Sequence, residues 1–213
     1  WSVTPTQALA DGALNVSVTA TDPAGNVSAP TLVPVTIDTT APAAPTVNAL
    51  TTSDSTPGLT GTATLAAGET LHVTVNGATY AVTVAGNGTW SLDIGTATPV
   101  SGTLGSFVDG NSYSVVATVT DAAGNSTSDT TAGELTIDTS LPASPVGDVA
   151  ASSDSGSSNT DNITSDNTPE IVGTGTPGQT IKLYAPNGTT LLGTGVVASD
   201  GTWAITPTST LPD

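Results

Sequence analysis

Acidic side chains recur at matching positions along this chain, and their type and spacing suit the binding of a cation. The 213 residues include 18 Asp and Glu against one basic residue, Lys182, so the formal net charge is −17. Asp22 and Asp121 occupy Asp-x-Ala-Gly-Asn motifs 99 residues apart, and Asp38 and Asp138 end Ile-Asp-Thr motifs 100 residues apart. Acidity can keep a protein soluble, but solubility does not explain why the acids recur at fixed intervals.

The rest of the composition limits the kinds of ligand and activity that the chain can have. Binding of nucleic acid or of an anionic membrane needs clusters of Lys and Arg, which this composition rules out. Cys is absent and His72, predicted to lie within a strand, is the single His, so no His/Cys set exists for zinc. Nothing places His72 with a Ser and an Asp as a catalytic triad, and we expect no enzyme. Oxygen ligands suit Ca²⁺, which takes six to eight at about 2.3–2.6 Å.

The elements that must position these acids are short β-strands. Thr and Val favour strands, whereas Gly, Pro, Asn and Asp mark turns. Alternation of apolar and polar residues predicts half-buried strands at Leu14–Thr21 and Leu32–Ile37. Asn76-Gly77 is a strong hairpin signal between the predicted strands Thr70–Val75 and Thr79–Val84.

The middle of the chain reads as a complete all-β domain. Its other predicted strands are Thr46–Leu50, Gly58–Thr64, Thr89–Ile94, Ser112–Thr120 and Glu134–Ile137, with a long loop over Gly95–Asn111. Seven short strands with Greek-key spacing in about one hundred residues indicate an immunoglobulin-like β-sandwich. Tyr113 stands where the tyrosine corner of such a domain is expected.

The repeat divides the chain into one whole domain and two partial domains. WSVTPTQALAD at residues 1–11 matches WAITPTSTLPD at residues 203–213, an offset of 202. We therefore expect the C-terminal part of repeat A at 1–38, all of repeat B at 39–138 and the N-terminal part of repeat C at 139–213, as a segment of a longer tandem array. In repeat C, Asp161 and Asp166 are expected to belong to a junction whose partner lies beyond residue 213.

Four motifs together carry a resemblance to a known family: Thr-Asp-x-Ala-Gly-Asn, Ile-Asp-Thr-Thr-x-Pro-x-x-Pro, Ser-Asp-x-Thr-Pro and Gly-Thr-Trp. In this order they resemble the bacterial immunoglobulin-like tandem repeats of giant type I-secreted surface adhesins, the biofilm-associated and RTX-adhesin extender regions. The resemblance covers the whole chain. It implies an extracellular rod at the bacterial surface or in a secreted matrix, with domain junctions that bind calcium.

Sandwich topology also gathers the acids at the domain junctions. If the chain enters and leaves repeat B at opposite poles, loops that are distant in sequence meet at each pole. At the outgoing pole we expect Asp54, Asp109 and Asp138. At the incoming pole we expect Glu69, Asp121 and Asn125, facing Asp11 and Asp38 of repeat A. These eight residues are the predicted Ca²⁺ ligands.

The same acids also have purely structural interpretations. Asp before Gly, as at Asp11 and Asp109, often only forms a turn, and Asp22 and Asp121 can cap Asx turns. Asp38 and its counterpart in repeat B have the strongest case as ligands, because a strand-ending Asp before a stiff Pro linker has little local role.

The sequence predicts a non-enzymatic extender segment of a bacterial adhesin or matrix fibre that supports adhesion or biofilm cohesion. Its expected partners are neighbouring repeats of the same chain, with lateral or end-to-end self-association as a further option. One alternative is a carbohydrate-binding accessory module of a secreted protein, although Trp1, Trp90 and Trp203 recur at one repeat position and are expected in the core. Another is a fibre subunit that polymerises by strand complementation between half-domains.

Overall fold

The chain is built from β-strands joined by turns. The computed structural model describes residues 2–211, and its 18 regular elements are all strands. They form two compact units that divide between Ser140 and Leu141. Within residues 2–211, no helix has the length and apolarity needed to cross a membrane.

The first unit begins with a two-stranded antiparallel hairpin. Strand β1 (Gly12–Val18) pairs with β2 (Thr31–Ile37), and Leu14 lies opposite Val35. Most of its side chains are exposed, in keeping with the alternation of small and polar residues. The two strands predicted in this region are confirmed, with ends that differ by up to three residues. Their predicted half-burial was wrong, since Val16, Leu32 and Val33 are exposed and a sheet of two strands buries little.

The rest of the first unit contains three sheets. Its strands are β3 (Thr46–Val47), β4 (Leu50–Thr52), β5 (Gly58–Thr62), β6 (Thr70–Val75), β7 (Ala78–Val82), β8 (Thr89–Asp93), β9 (Ser101–Gly102), β10 (Ser112–Tyr113), β11 (Val115–Thr120), β12 (Ser126–Ser128) and β13 (Leu135–Ile137). The sheet orders are β3-β5-β8, β10-β13-β4 and β12-β11-β6-β7-β9. Strands β4 and β13 run parallel, and the other pairs are antiparallel.

Alternation of side chains along these strands builds one hydrophobic core. In β6, Leu71, Val73 and Val75 are buried, while the residues between them are exposed or half-buried, as a half-buried strand requires. Trp90 of β8 and Tyr80 of β7 are the large aromatic members of this core. The arrangement confirms the predicted immunoglobulin-like sandwich.

The tyrosine corner is confirmed at Tyr113. Its hydroxyl oxygen accepts a hydrogen bond from the Val108 N–H at 2.7 Å. The ring also packs edge-on against Phe107, with ring centroids 4.8 Å apart. This contact fixes the loop before β10 against the start of that strand.

Parts of the predicted strand pattern were wrong. The predicted strand Thr46–Leu50 is split, because β3 pairs with β5 whereas β4 pairs with β13. The predicted loop Gly95–Asn111 contains β9, which pairs with β7. A two-residue strand has no alternation to read, and this one depends on Gly102, whose φ of 74° and lack of a Cβ let its backbone approach the Gly77 carbonyl.

Two acids outside the predicted set complete the hydrogen bonding of β11. Strand β12 pairs only with residues 118–120 of β11. Toward the other end of β11, Glu134 Oε2 accepts from the Val115 N–H at 2.9 Å, and Asp129 Oδ1 accepts from the Ala117 N–H at 2.8 Å. Glu134 is 6% exposed. The carboxylates therefore take the place of a neighbouring strand there.

The second unit repeats part of this pattern. Its strands are β14 (Val146–Val149), β15 (Ile171–Thr174), β16 (Thr180–Tyr184), β17 (Leu191–Val196) and β18 (Thr202–Ile205), in the sheets β14-β15-β18 and β16-β17. Trp203 of β18 lies opposite Gly173 of β15, just as Trp90 lies opposite Gly61 in the first unit. Trp90 and Trp203 are 2% and 7% exposed, which confirms the core prediction for both, whereas Trp1 lies outside the described residues.

Candidate junction site

The Asp-x-Ala-Gly-Asn motif forms a turn closed by its first and last side chains. Asp121 Oδ1 accepts from the backbone N–H groups of Ala123 and Asn125 at 2.9 and 2.8 Å, and Asp121 Oδ2 accepts from Asn125 Nδ2 at 2.9 Å. Asp22 makes the same three kinds of contact in its own motif. The Asn125 side chain is the main cause that holds the pKa of Asp121 below its usual range. The predicted Asx turns are confirmed.

Asn125 also reaches the end of the preceding hairpin. Its Nδ2 group donates to the backbone carbonyl of Asp38 at 3.0 Å, across 87 residues of sequence. Asp38 follows the last residue of β2, so this bond ties the end of the hairpin to a turn of the next sandwich. The structure thus brings together three of the predicted ligands, Asp38, Asp121 and Asn125, with Asp38 taking part through its backbone carbonyl. The expectation that Asp38 and Asp138 have little local role was wrong, because their carboxylates accept from the Thr40 and Ser140 N–H groups at 3.1 and 3.2 Å.

A second set of bonds holds the chain where it leaves each last strand. Asp11 accepts from the Thr39 N–H at 3.2 Å, from Thr39 Oγ1 at 2.8 Å and from Thr40 Oγ1 at 3.1 Å. One repeat later, Asp109 accepts from the Thr139 N–H and from Ser140 Oγ, the latter at 2.6 Å. We call these two sets, Asp11 with 39–40 and Asp109 with 139–140, the linker latches.

The linker latches change the acidity of their carboxyl groups. The Thr39 hydroxyl is the largest cause that holds the pKa of Asp11 low, and the Ser140 hydroxyl does the same for the pKa of Asp109. Donors that face a carboxylate favour its ionised form. Both acids are exposed, so the charge itself stays in water.

At the outgoing pole, hydrogen bonds connect the segments that carry the three predicted ligands. Asp138 is adjacent to Thr139, which donates to Asp109, and the Asp138 N–H donates to the Thr52 carbonyl at 2.9 Å. Thr52 Oγ1 in turn accepts from the Asp54 N–H at 3.0 Å. All three acids predicted at this pole are therefore linked through a short series of contacts.

Glu69 is bound within its own loop. Its Oε2 accepts from the Ala66 N–H at 2.7 Å, which closes the turn before β6. This loop lies beside the Asp121 turn, because a Cβ added to Gly68 would be 3.8 Å from the Ala122 Cβ. The structure places Glu69 at the predicted pole but gives its bonded carboxylate oxygen a local role.

Sequence reasoning identified the latch acids but missed their hydroxyl partners. Thr39, Thr40, Thr139 and Ser140 follow the two Ile-Asp motifs at equivalent positions. That recurrence was the available signal. It was hidden because Thr and Ser are so frequent elsewhere in this chain.

The chemistry of the junction donors suits a hard cation. The Asp121 carboxylate and the Asp38 carbonyl both contact the Asn125 side chain, so the atoms that could bind an ion are mainly oxygens. Over residues 2–211, however, no group of three or more His, Cys, Asp and Glu residues is arranged to hold a metal. Calcium binding at this junction stays a prediction.

Comparison with known proteins places the chain in a family. The family model described as a bacterial Ig-like domain matches residues 1–39, 46–139 and 141–213. Curated proteins give no match. One similar solved structure is described as giving structural insight into host cell surface retention of a 1.5-MDa bacterial ice-binding adhesin; the identity is 26%, the TM-score is 0.33, and the match covers 92% of this chain and 63% of that one. With three successive family matches along its length, the chain belongs to the bacterial Ig-like domain family.

Proposed function

We propose that this chain is a structural extender segment of a bacterial surface adhesin or extracellular matrix fibre. Its work is mechanical: successive Ig-like domains hold another part of the protein away from the cell, or give a matrix cohesion. Family membership supports this function, since tandem sandwiches make an extended scaffold. The proposed location is extracellular, and the proposed partners are neighbouring domains of the same protein.

One observation carries the mechanical part of the proposal. The Asn125 side chain bonds both to Asp121 in its own turn and to the Asp38 carbonyl at the end of β2. A hinge between two elements needs free rotation about its backbone, and this bond restrains that rotation. The linker latch at Asp11 restrains the two residues that follow Asp38.

We propose further that Ca²⁺ stiffens this junction. Asn125 binds both the Asp38 carbonyl and the Asp121 carboxylate, so two acidic residues are neighbours at this junction, in a chain whose net charge is already −17. Like charges repel unless a cation lies between them. The residues that would hold the ion are Asp38, Asp121 and Asn125. The bound ion would supply the attraction that these acids lack toward one another.

Calcium-dependent thermal unfolding tests this mechanism. Addition of about 10 mM Ca²⁺ to EDTA-treated protein is expected to raise the midpoint on the order of 5–10 °C, if the affinity is that of an extracellular module. The double change Asp38→Asn and Asp121→Asn is expected to remove most of that rise. Asp93→Asn is the matched control, because Asp93 only binds Gly95 and Thr96 in its own turn.

Two results would exclude calcium binding at this junction. If the double variant keeps the full rise, or if EDTA changes nothing in the unaltered chain, the ion is not held at this junction. Small-angle scattering of the same samples then tests the remaining restraint: Asn125→Ala without calcium is expected to broaden the distance distribution. An unchanged distribution contradicts the hinge argument itself.

A carbohydrate-binding module is the competing function. Sugar platforms use exposed aromatic rings, and Trp90 and Trp203 are buried in the two cores. Their indole N–H groups donate to the Thr46 and Thr174 carbonyls at 3.1 and 3.2 Å. These two rings are therefore packing residues, which favours the extender function.

A further inference from the structure

A long polar loop in the second unit buries an acid that its surroundings do not satisfy. The loop joins β14 to β15 and covers residues 150–170. Asp154 within it is 5% exposed, in contrast to the exposed acids of the junction. Its Oδ2 accepts from the Asn162 N–H at 3.1 Å, while its Oδ1 is buried without a hydrogen-bond partner in the chain.

An orphaned carboxylate oxygen at this depth is costly. A buried carboxylate needs a hydrogen-bond donor or a positive charge beside it, and the fold is destabilised when both are missing. The chain has a single Lys or Arg, Lys182, which lies exposed on β16. A metal cation is the other positive charge that can meet a buried carboxylate.

The loop that carries Asp154 is held in place by its own side chains. Thr164 Oγ1 donates to the Ser153 carbonyl, and Ser155 Oγ lies 3.0 Å from Ser165 Oγ. The Glu170 N–H donates to Ser153 Oγ at 3.1 Å, which ties the loop to the start of β15. Both flanks of Asp154 are therefore held in place, and its Oδ2 faces the turn at residues 161–163.

That turn carries further oxygen atoms. Asp161 Oδ1 accepts from the Ile163 N–H at 3.1 Å and lies 3.8 Å from where a Cβ on Gly156 would stand. Asn162 has a φ of 58°, a left-handed conformation that aims its N–H at Asp154 and its side chain at Val149. Carboxylate, amide and carbonyl oxygens with no nitrogen or sulfur ligand are the set that Ca²⁺ takes.

We propose that Asp154 anchors a calcium site inside this loop, with Oδ1 as its buried ligand and Asp161 as the second carboxylate. The ion would neutralise the buried charge and hold the 150–170 loop against β14 and β15. This site is distinct from the junction at Asp38 and Asp121 in the first unit. It assigns Asp161 to a loop of its own unit, whereas the sequence pattern placed Asp161 at a further junction. It concerns the order within one domain and not the angle between two.

Amide NMR of the whole chain tests the site. Titration of EDTA-treated protein to about 5 mM Ca²⁺, above the dissociation constants of roughly 0.1–1 mM typical of extracellular modules, is expected to shift the Asn162 amide resonance. Asp154→Asn is expected to abolish that shift, since its amide still accepts from Asn162 but brings no charge. Asp200→Asn is the matched control, an exposed turn acid of the same unit that binds only Thr202.

Thermal unfolding distinguishes the loss of the calcium site from a failure of the variant to fold. Without calcium, Asp154→Asn is expected to melt at or above the midpoint of the unaltered chain, because it removes a buried charge. With calcium the order reverses, since the variant can gain only from an ion at the junction, whereas the unaltered chain also gains from the ion in the loop. A response of the Asn162 amide that survives Asp154→Asn, or that Mg²⁺ reproduces equally, overturns the proposal.

The two calcium proposals can fail independently. The double variant Asp38→Asn and Asp121→Asn is expected to keep the Asn162 shift in full. If that shift is lost in the double variant, the loop does not bind the ion by itself and the inference is wrong. If the junction shows no calcium effect while the Asn162 shift remains, only the junction proposal falls.

Discussion

At the scale of single residues, glycine opposite tryptophan is a repeated packing device. A Cβ on Gly61 would overlap the Thr46 carbonyl and lie 2.5 Å from the Trp90 ring. A Cβ on Gly173 would overlap the Val146 carbonyl and lie 2.6 Å from the Trp203 ring. Because glycine has no side chain, the indole ring can pack directly against the backbone of the neighbouring strand. One large ring thus fills the core of a domain that has few aromatic residues.

Gly61→Ala is therefore expected to destabilise the first unit by about 1–3 kcal/mol, the usual cost of overpacking. Gly58→Ala in the same strand is the control, because a Cβ there meets nothing within 4 Å. Urea unfolding followed by Trp fluorescence measures both. Equal midpoints for the two variants would contradict the packing argument.

The linker latches predict a pH dependence. The pKa of Asp109 is lowered in the folded state, chiefly by the Ser140 hydroxyl, so its contribution to stability is complete above the unfolded value near pH 4 and is lost as the pH falls through the folded pKa. Carbon NMR of the carboxyl group follows this titration directly. Ser140→Ala is expected to raise the pKa of Asp109.

Asp22 supplies the internal control for that titration. Its pKa is lowered chiefly by Asn26, which Ser140→Ala does not touch. The Asp22 titration is therefore expected to stay in place in the same spectra. A parallel movement of both acids would mean a general change in charge and would count against the latch.

At the scale of elements, two acidic side chains bind backbone N–H groups along one edge of β11. Glu134 and Asp129 bind the Val115 and Ala117 N–H groups that no strand covers. Burial raises the pKa of Glu134, but its hydrogen bonds outweigh that effect and the net direction is down. An edge whose donors are occupied by charged side chains resists pairing with another chain.

Removal of these carboxylates is expected to open the edge. Glu134→Ala leaves the buried Val115 N–H without an acceptor, at a cost of about 1–3 kcal/mol. Hydrogen exchange of the Val115 amide is expected to accelerate, while that of Val119, within the region where β11 lies between β6 and β12, changes less. Uniform acceleration along β11 would show global destabilisation and no specific role for Glu134.

The elements also show how far the sequence could be interpreted. Alternation located β6, and Asn76-Gly77 formed the predicted hairpin turn, with φ values of 43° and 90°. The caps on β11 were not predictable, because Asp129 and Glu134 bind residues 12 and 19 positions away and only the folded chain brings them together. In the candidate site, the Asx turns followed from local spacing, whereas the Asn125 to Asp38 bond required the tertiary fold.

At the scale of the whole molecule, the two units differ in the size of their cores. The first unit buries a large cluster that includes Tyr80, Trp90 and Leu135. The second unit's cluster consists of Ile181, Val197, Trp203 and Ile205. Hydrophobic stabilisation scales with the apolar area removed from water, so the second unit has less of it.

The second unit is accordingly expected to open first. In calcium-free buffer, the amide of Ile181 in β16 should exchange faster than the amide of Val73 in β6, since local opening follows local stability. Native-state hydrogen exchange measures both in one sample. Equal protection would mean that the two units unfold as a single cooperative body.

The parallel pairing of β4 with β13 has a consequence for a chain under tension. Leu50 pairs with Leu135, and Thr52 pairs with Ile137. Strand β4 lies near the beginning of the sandwich's sequence, and β13 lies at its end. A pull on the two ends drags these strands in opposite directions along their own axes. Their hydrogen bonds are then loaded in shear and must yield together, whereas a hairpin pulled at its open end unzips one bond at a time. The pairing that closes the sandwich is thus also the one that would bear the load.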